Sequence, residues 1–448
     1  MPKAKTVFIT LAPFENEIHN VLYTKELFID KYLRDGYLVV VIVFCQRHAP
    51  LVKENNPNLR IIYFQSLQFI NIIASAIYFL LASKGSPRFP PYMKRRWAGM
   101  CQNRSIKKKI FGYISFILIG WLTENCLLYL YSKVLSWSNF DAIYKIYNPS
   151  LTILPFYLSS SEEAKVVAIA KNNNSLTVAI PARISAFDDV FYYTKPDLLF
   201  VWNELMKNYA IMWHGVKRES IIPVGILKCD YYKNKNIVLQ TKEEFINASK
   251  LVSGKKIISI ICGNIDVGRA CDIAKGLFQS GKIDSAFQVL LRANPDEYER
   301  QLKVAAGIKE YPIFLARGFS SNIKENKILG QIISTANFLK NSDLVISVAS
   351  TMSLEFLYFD IPNIFLVYEE FNLYYAYDYL KPLLNEKGMK FVRNSNELIS
   401  AVNEYLNNPS IDLEERRELF KKYCFSIDGD ALTRCFHEIN KLELMFKG

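Results

Sequence analysis

The chain has 448 residues, half of them hydrophobic, 14% aromatic and 22% charged, with 18 Gly and 17 Pro. That length favours two or three domains, and that composition excludes a disordered, collagenous or low-complexity chain. Fifty-five basic against 43 acidic side chains give a formal charge of +12, which favours an anionic partner such as nucleic acid, phospholipid or a nucleotide-linked compound. The eight cysteines are scattered without CxxC spacing and only four His are present. A zinc ribbon, a thioredoxin-like motif and a His-rich metal centre are therefore not expected, and thiols in apolar contexts fit a reducing, cytoplasmic setting.

The apolar run at residues 6–11 is followed by Pro13, Glu15, Asn16 and Glu17, where an export signal would need a longer core. It reads as a first buried strand, with a helix over 16–33. Further β-rich runs stand at 37–44, 59–64, 142–147, 165–170 and 198–202, and helical spacing returns at 203–214. Continuous apolar strands separated by helices predict a parallel sheet covered on both faces. Between Lys84 and Thr123 lie nine basic residues, including Lys94, Arg95, Arg96, Lys107, Lys108 and Lys109, and no acidic one. They adjoin apolar runs at 69–82 and 110–123, each 14 residues long and short of the roughly 20 needed to span a bilayer. Basic charge beside apolar, aromatic segments predicts docking on an anionic membrane surface, the alternative being two buried helices joined by a basic loop. Charge gathered in one insertion, not interleaved with aromatics on a sheet or recognition helix, argues against nucleic acid.

A polar stretch over 228–254, with a linker at 231–236, precedes a second α/β pattern. Its strands are expected at 256–261, 287–292, 313–316, 344–348 and 363–368. Its helices are expected at 271–279, 296–306, 331–340, 351–359 and 397–406. The densest signal runs from Asn341 to Phe365: a buried strand leads through Ser350 and Thr351 into a helix carrying Met352 and, one turn beyond Thr351, Glu355. Hydroxyls and free N–H groups at a helix start after a parallel strand suit an anion, and Glu355 suits ribose hydroxyls; an ordinary Ser/Thr N-cap is the plain alternative. Gly263 and Asn264, directly after a strand, suit close backbone approach to phosphate, as any strand-to-loop turn would.

These residues carry a resemblance. Asp343, Ser350, Thr351, Glu355, Asp360 and Pro362 match the nucleotide-binding string of GT-B glycosyltransferases, particularly bacterial polysaccharide transferases related to CDP-glycerol glycerophosphotransferases. In matching order stand Val201-Trp202-Asn203-Glu204, Ile222-Pro223-Val224-Gly225 with Asp230, Leu291-Arg292-Ala293-Asn294-Pro295, and Gly429-Asp430-Ala431. Asn294 replaces the family's usual His, and the region between Phe69 and Trp137 matches nothing in the family. The resemblance implies an α/β GT-B fold of two Rossmann-like domains with a cleft between them and a C-terminal helix crossing back. Residues 1–230 would bind the acceptor, with the basic and apolar insertion at 69–137; residues 231–428 would bind the donor nucleotide; and 429–448 would form the terminal helix. It implies a glycosyltransferase moving a sugar from a nucleotide-sugar to a cell-envelope glycan or lipid-linked acceptor, needing no metal and no cofactor, on the inner face of the cytoplasmic membrane. The alternatives are a CDP-polyol phosphotransferase and a sugar-nucleotide 2-epimerase, although the Gly-Gly loop of the latter is lacking at Ala349-Ser350-Thr351-Met352. The donor-binding residues would be Gly263, Asn264, Arg292, Ser350, Thr351, Met352 and Glu355. Asp188 or Asp189 would be the general base or simply cap a turn, and His19 stands where relatives often carry an Arg. The string Trp213-His214-Gly215 looks like the family's His-Gly motif but falls too late in its domain to be it.

Overall fold

The computed structural model describes residues 5–12, 21, 23–53, 56–64, 73, 77, 122–136, 140–157, 161–181, 183–184, 186–189, 194–233, 239–262, 265–292, 310–316, 336–348, 351–372, 380–426 and 428–445. The chain divides into two compact units, Met1–Val224 together with Arg434–Gly448, and Gly225–Thr433.

Unit 1 runs β1 (Thr6–Thr10), α1 (Asp30–Arg34), β2 (Leu38–Val43), β3 (Leu59–Tyr63), α2 (Glu124–Ser136), α3 (Phe140–Tyr147), β4 (Leu151–Tyr157), α4 (Ser161–Asn172), β5 (Leu176–Pro181), α5 (Ala186–Asp189), β6 (Leu198–Val201), α6 (Glu204–Met212) and β7 (Ile221–Pro223). Its seven strands order as β3-β2-β1-β4-β5-β6-β7, and every pairing is parallel. Val7, Phe8 and Ile9 and the run from Val39 to Val43 are wholly buried, as a parallel sheet covered on both faces requires.

Two runs expected as strands are helices. At 142–147 the strand reading fails because Phe140 and Tyr144 bury one helical face, against Phe64 at 4.8 Å and Phe8 at 4.7 Å. Lys145 and Asp141 pair across one turn at 2.7 Å. At 165–170 an apolar run buried on every side carries no periodicity to separate strand from helix, and it forms the middle of α4. The decisive signals flank it. Glu162 and Glu163 occupy the first turn, where acid suits the helix dipole. At the other end the left-handed Asn174 ends the helix, as the N–H groups of Asn174 and Ser175 bond the carbonyls of Lys171 and Ala170 in a Schellman pattern.

Unit 2 runs α7 (Leu227–Lys233), α8 (Lys242–Ser249), β8 (Lys256–Ile261), α9 (Val267–Gln279), β9 (Phe287–Arg292), β10 (Ile313–Ala316), β11 (Leu344–Ser347), α10 (Thr351–Leu357), β12 (Asn363–Leu366), β13 (Lys390–Val392), α11 (Ser395–Asn407) and α12 (Leu413–Cys424). Its six parallel strands order as β10-β9-β8-β11-β12-β13. The expected linker at 231–236 is corrected at its start, because residues 231–233 complete α7. The expected helix at 296–306 lies outside the described residues.

The last helix, α13 (Ala431–Met445), starts in unit 2 and continues in unit 1. Asp230 caps its start, accepting from the N–H groups of Ala431 at 3.2 Å and Leu432 at 2.8 Å. Arg434 then donates from Nε and Nη2 to the Val224 carbonyl. Further on, Phe436 packs against Phe28 and Tyr32 at 5.7 and 5.8 Å.

Candidate functional site

Both sheets grow outward in two directions from a central pair, β1–β4 in unit 1 and β8–β11 in unit 2. In open parallel sheets of this kind the connecting helices diverge at that pair, and ligands bind outside the strands' carboxyl ends there. In unit 2 that edge holds the end of β9, at Arg292, and the passage from β11 into α10.

A buried polar latch fixes the start of α10. Ser353 Oγ donates to Ser347 Oγ at 2.8 Å, and Asn363 Nδ2 donates to the Ser353 carbonyl at 2.9 Å. All three residues are fully buried, so each bond is made where water cannot substitute for it. At the other end, left-handed Asp360 receives the Arg417 guanidinium on both carboxylate oxygens at 3.0–3.2 Å, which ties the exit of α10 to α12. The helix between these ties carries Glu355.

Glu355 is 4% exposed. Its Oε2 accepts a hydrogen bond from the Tyr232 hydroxyl on α7 at 2.5 Å. The Tyr232 ring packs on Tyr358 and Phe359, centroids 5.5 and 5.4 Å away. Behind Glu355 lies Cys424 of α12, whose thiol is pushed well above its ordinary range by burial and then by the Glu355 charge. The Arg292 guanidinium sits 5.3 Å from the Phe338 ring centroid, a cation–π distance. Burial pulls it down to about 10, and Tyr232 acts in the opposite sense, so Arg292 is a cation at neutral pH with Tyr232 in electrostatic reach. The tyrosine that bonds the Glu355 carboxylate thus also lies within electrostatic reach of the guanidinium at the carboxyl end of β9.

Two of the residues expected at the donor site, Arg292 and Glu355, are thus each linked to Tyr232, one electrostatically and one by a hydrogen bond. Met352 is half-buried on α10, and Thr351 is the first residue of that helix. Gly263, Asn264 and Ser350 lie outside the described residues. In unit 1, His19 also lies outside them, while Asp188 and Asp189 form the end of α5, directly before undescribed residues. The turn carrying them is held by His214, whose Nε2 donates to the Phe187 carbonyl at 2.9 Å. Full burial lowers His214 to about 3, so it is a neutral ring holding α5. That role accounts for the Trp213-His214-Gly215 string without any catalytic part. The sequence does not single out Tyr232; its signal there is a pair of tyrosines, 231 and 232, directly after Asp230.

No family model and no curated protein sequence matches the chain. Solved structures do. A glycosyltransferase from Rickettsia africae ESF-5 superposes with a TM-score of 0.55 at 13% identity, over 99% of both chains. The wall teichoic acid polymerase TagF, solved with CDPG, gives 0.53 at 10% identity, over 99% of this chain and 89% of that one. A UDP-GlcNAc 2-epimerase from Neisseria meningitidis bound to UDP-GlcNAc gives 0.54 at 10% identity, over 98% of this chain and all of that one. The chain has the GT-B fold.

Proposed function

We propose that this protein is a GT-B transferase that binds a nucleotide-sugar in unit 2 and transfers its sugar to a cell-envelope saccharide or lipid-linked acceptor. The observation that carries the reading is that Tyr232 bonds Glu355 and lies within electrostatic reach of Arg292, which ends β9 in a sheet whose order reverses at β8–β11. A nucleoside diphosphate presents ribose hydroxyls and a dianionic bridge side by side, and this pair of side chains offers a complement to each. The fold is shared with proteins whose structures hold UDP-GlcNAc and CDPG.

In this reading Glu355 accepts from the ribose hydroxyls. Arg292 faces the diphosphate and stabilises the charge that develops there as the sugar leaves. Gly263, Asn264, Ser350, Thr351 and Met352 complete the donor pocket. On the acceptor side Asp188 or Asp189 takes the proton of the attacking hydroxyl, and His19 is the further candidate for that role. The nucleotide-sugar is itself the substrate, and no cofactor is invoked. The likeness to TagF keeps a CDP-polyol phosphotransferase as the second reading; hydrolysis assays with UDP-, CMP- and CDP-linked donors separate the two.

A thermal-shift screen against UDP, CMP, CDP, GDP and dTDP should find at least one nucleotide that raises the melting temperature. Arg292→Gln should then weaken the preferred diphosphate about 10-fold or more, the loss of one hydrogen bond between charged groups, and weaken the corresponding monophosphate less. The reading falls if no nucleotide stabilises the wild type, or if the substitution leaves diphosphate binding unchanged.

We further propose that the protein works at the inner face of the cytoplasmic membrane. Among the described residues no helix is long and apolar enough to cross a bilayer, and the basic run at 84–109 lies outside them. The support is the charge pattern: each basic residue near an anionic surface contributes about 1 kcal/mol. Neutralising Lys94, Arg95, Arg96, Lys107, Lys108 and Lys109 should release the protein from anionic vesicles in co-sedimentation. Equal wild-type binding to anionic and neutral vesicles, or binding to neither, would reduce the run to a solvated loop.

A further inference from the structure

An arginine at the end of a strand meets a ligand reliably only where something fixes its head, because its long side chain has many rotamers open to it. The Arg292 backbone is fixed by β8: Ile261 pairs with it in register, and the Cys262 N–H donates to its carbonyl at 2.9 Å. Its guanidinium lies 5.3 Å from the centroid of the Phe338 ring, which is 1% exposed. Phe338 belongs to the helical residues 336–341 that precede β11, and its own place is set from β8 as well. Ser342 Oγ donates to the Phe338 carbonyl at 2.7 Å, and the Ser259 hydroxyl of β8 bonds Ser342 Oγ at 2.6 Å. The same ring meets Phe356 of α10 at 5.9 Å, inclined at 65°, one residue beyond Glu355. Phe338 thus touches both the cation at the end of β9 and the helix that carries the carboxylate. We infer that Phe338 is a positioning residue: its ring holds the Arg292 guanidinium in the orientation that meets a diphosphate, and so raises the selectivity for nucleoside diphosphates over monophosphates.

This inference rests on the donor-site reading above. Burial draws Arg292 down to about 10, so the cation has given up part of its hydration. The negative face of an aromatic ring offsets that loss, where an aliphatic side chain of similar size does not. The ring attracts the guanidinium through its charge and uses none of its five N–H donors. The contact therefore does not compete with hydrogen bonds from those donors to phosphate oxygens. Apparent affinity falls with the fraction of molecules in which the guanidinium points elsewhere. A desolvated cation–π contact biases the rotamers about 5- to 30-fold, and that bias is what the dissociation constant reads. A monophosphate lacks the second phosphate, so the orientation of Arg292 matters less to it.

Calorimetric titration of the whole chain with UDP and UMP, and with CDP and CMP, tests the positioning role. Phe338→Leu removes the aromatic face and keeps an apolar side chain; Phe338→Met, closer in volume, takes its place if the leucine variant does not fold. Either should weaken the diphosphate that binds the wild type about 5- to 30-fold, and the matching monophosphate less than about threefold. Phe338→Tyr keeps the ring but buries a hydroxyl. Its melting temperature should fall while its diphosphate affinity stays within about threefold of the wild type. In an Arg292→Gln background Phe338→Leu should change diphosphate affinity less than about threefold, because the ring acts through the cation. The inference is overturned if Phe338→Leu leaves the diphosphate unchanged, weakens both nucleotides alike, or keeps its effect without the arginine, since the ring would then serve packing alone. It is equally overturned if Phe338→Tyr loses as much affinity as Phe338→Leu. If Arg292→Gln itself leaves diphosphate binding unchanged, the donor-site reading fails and takes the positioning role with it.

Discussion

Glu355→Ala should lower the affinity for the preferred nucleotide about 10- to 150-fold while leaving unit 2 folded. The range is that of one hydrogen bond to a charged acceptor, about 1.5–3 kcal/mol. Retention of the fold follows from what holds α10. Its orientation is set by the Ser347, Ser353 and Asn363 latch and by the Arg417–Asp360 fork, and none of these uses Glu355. The variant leaves the Tyr232 hydroxyl without its present acceptor, so a modest drop in melting temperature should accompany the loss of binding. Calorimetry reads the affinity, and near-ultraviolet circular dichroism reads the packing of the tyrosine cluster. An unchanged affinity for every nucleotide tested would return Glu355 to the status of an ordinary helix residue.

The second large effect is structural. Gly388 adopts a left-handed backbone at φ +90°, and a Cβ there would stand 2.7 Å from the Arg416 nitrogen and 2.8 Å from the Glu415 carbonyl oxygen. These are backbone atoms of α12, and they cannot swing aside. Arg416 is fully buried, and its guanidinium is held by the carbonyls of Ile411 and Pro409, so the start of that helix is pinned. Gly388→Ala combines left-handed strain of about 1–2 kcal/mol with overpacking of about 1–3 kcal/mol, giving roughly 2–5 kcal/mol of destabilisation. Gly276, inside α9 with nothing within 4 Å of its would-be Cβ, is the control. Gly276→Ala should stabilise by about 0.5–1 kcal/mol. Urea unfolding of the two variants should move the midpoint in opposite directions; an unmoved or raised midpoint for Gly388→Ala would refute the packing argument.

Much of the architecture was legible because parallel strands buried on both faces leave continuous apolar runs. β1, β2, β3, β6 and the strands β8 to β12 all fall where such runs stand. β4 is not legible in this way, and its composition explains why. It contains Pro155, which argues against a central strand, yet it lies between β1 and β5 because the pairing register with β5 shifts between Leu154 and Tyr157, at the proline. α4 reads as a strand because its middle is apolar on every side, although Lys-Asn-Asn-Asn-Ser at residues 171–175 marks its stop. Of the site, Arg292 and Glu355 are legible because the first ends a recognisable strand and the second follows one. Tyr232 is not, because its partner lies 123 residues away and no local pattern marks a contact of that range.

The path of the chain has a consequence for how the protein is made. Unit 1 is discontinuous: its last piece, Arg434–Gly448, follows the whole of unit 2. Phe28 and Tyr32 therefore emerge before unit 2, while Phe436, which packs on both, emerges after it. At translation rates of about 5–20 residues per second, the intervening unit takes roughly 10–40 s to synthesise. Throughout that interval the nascent first unit shows the ribosome and its chaperones an open aromatic seam, whereas the second unit is complete as soon as Thr433 clears the exit tunnel. Removal of residues 434–448 consequently damages the first unit to be translated and leaves the second whole.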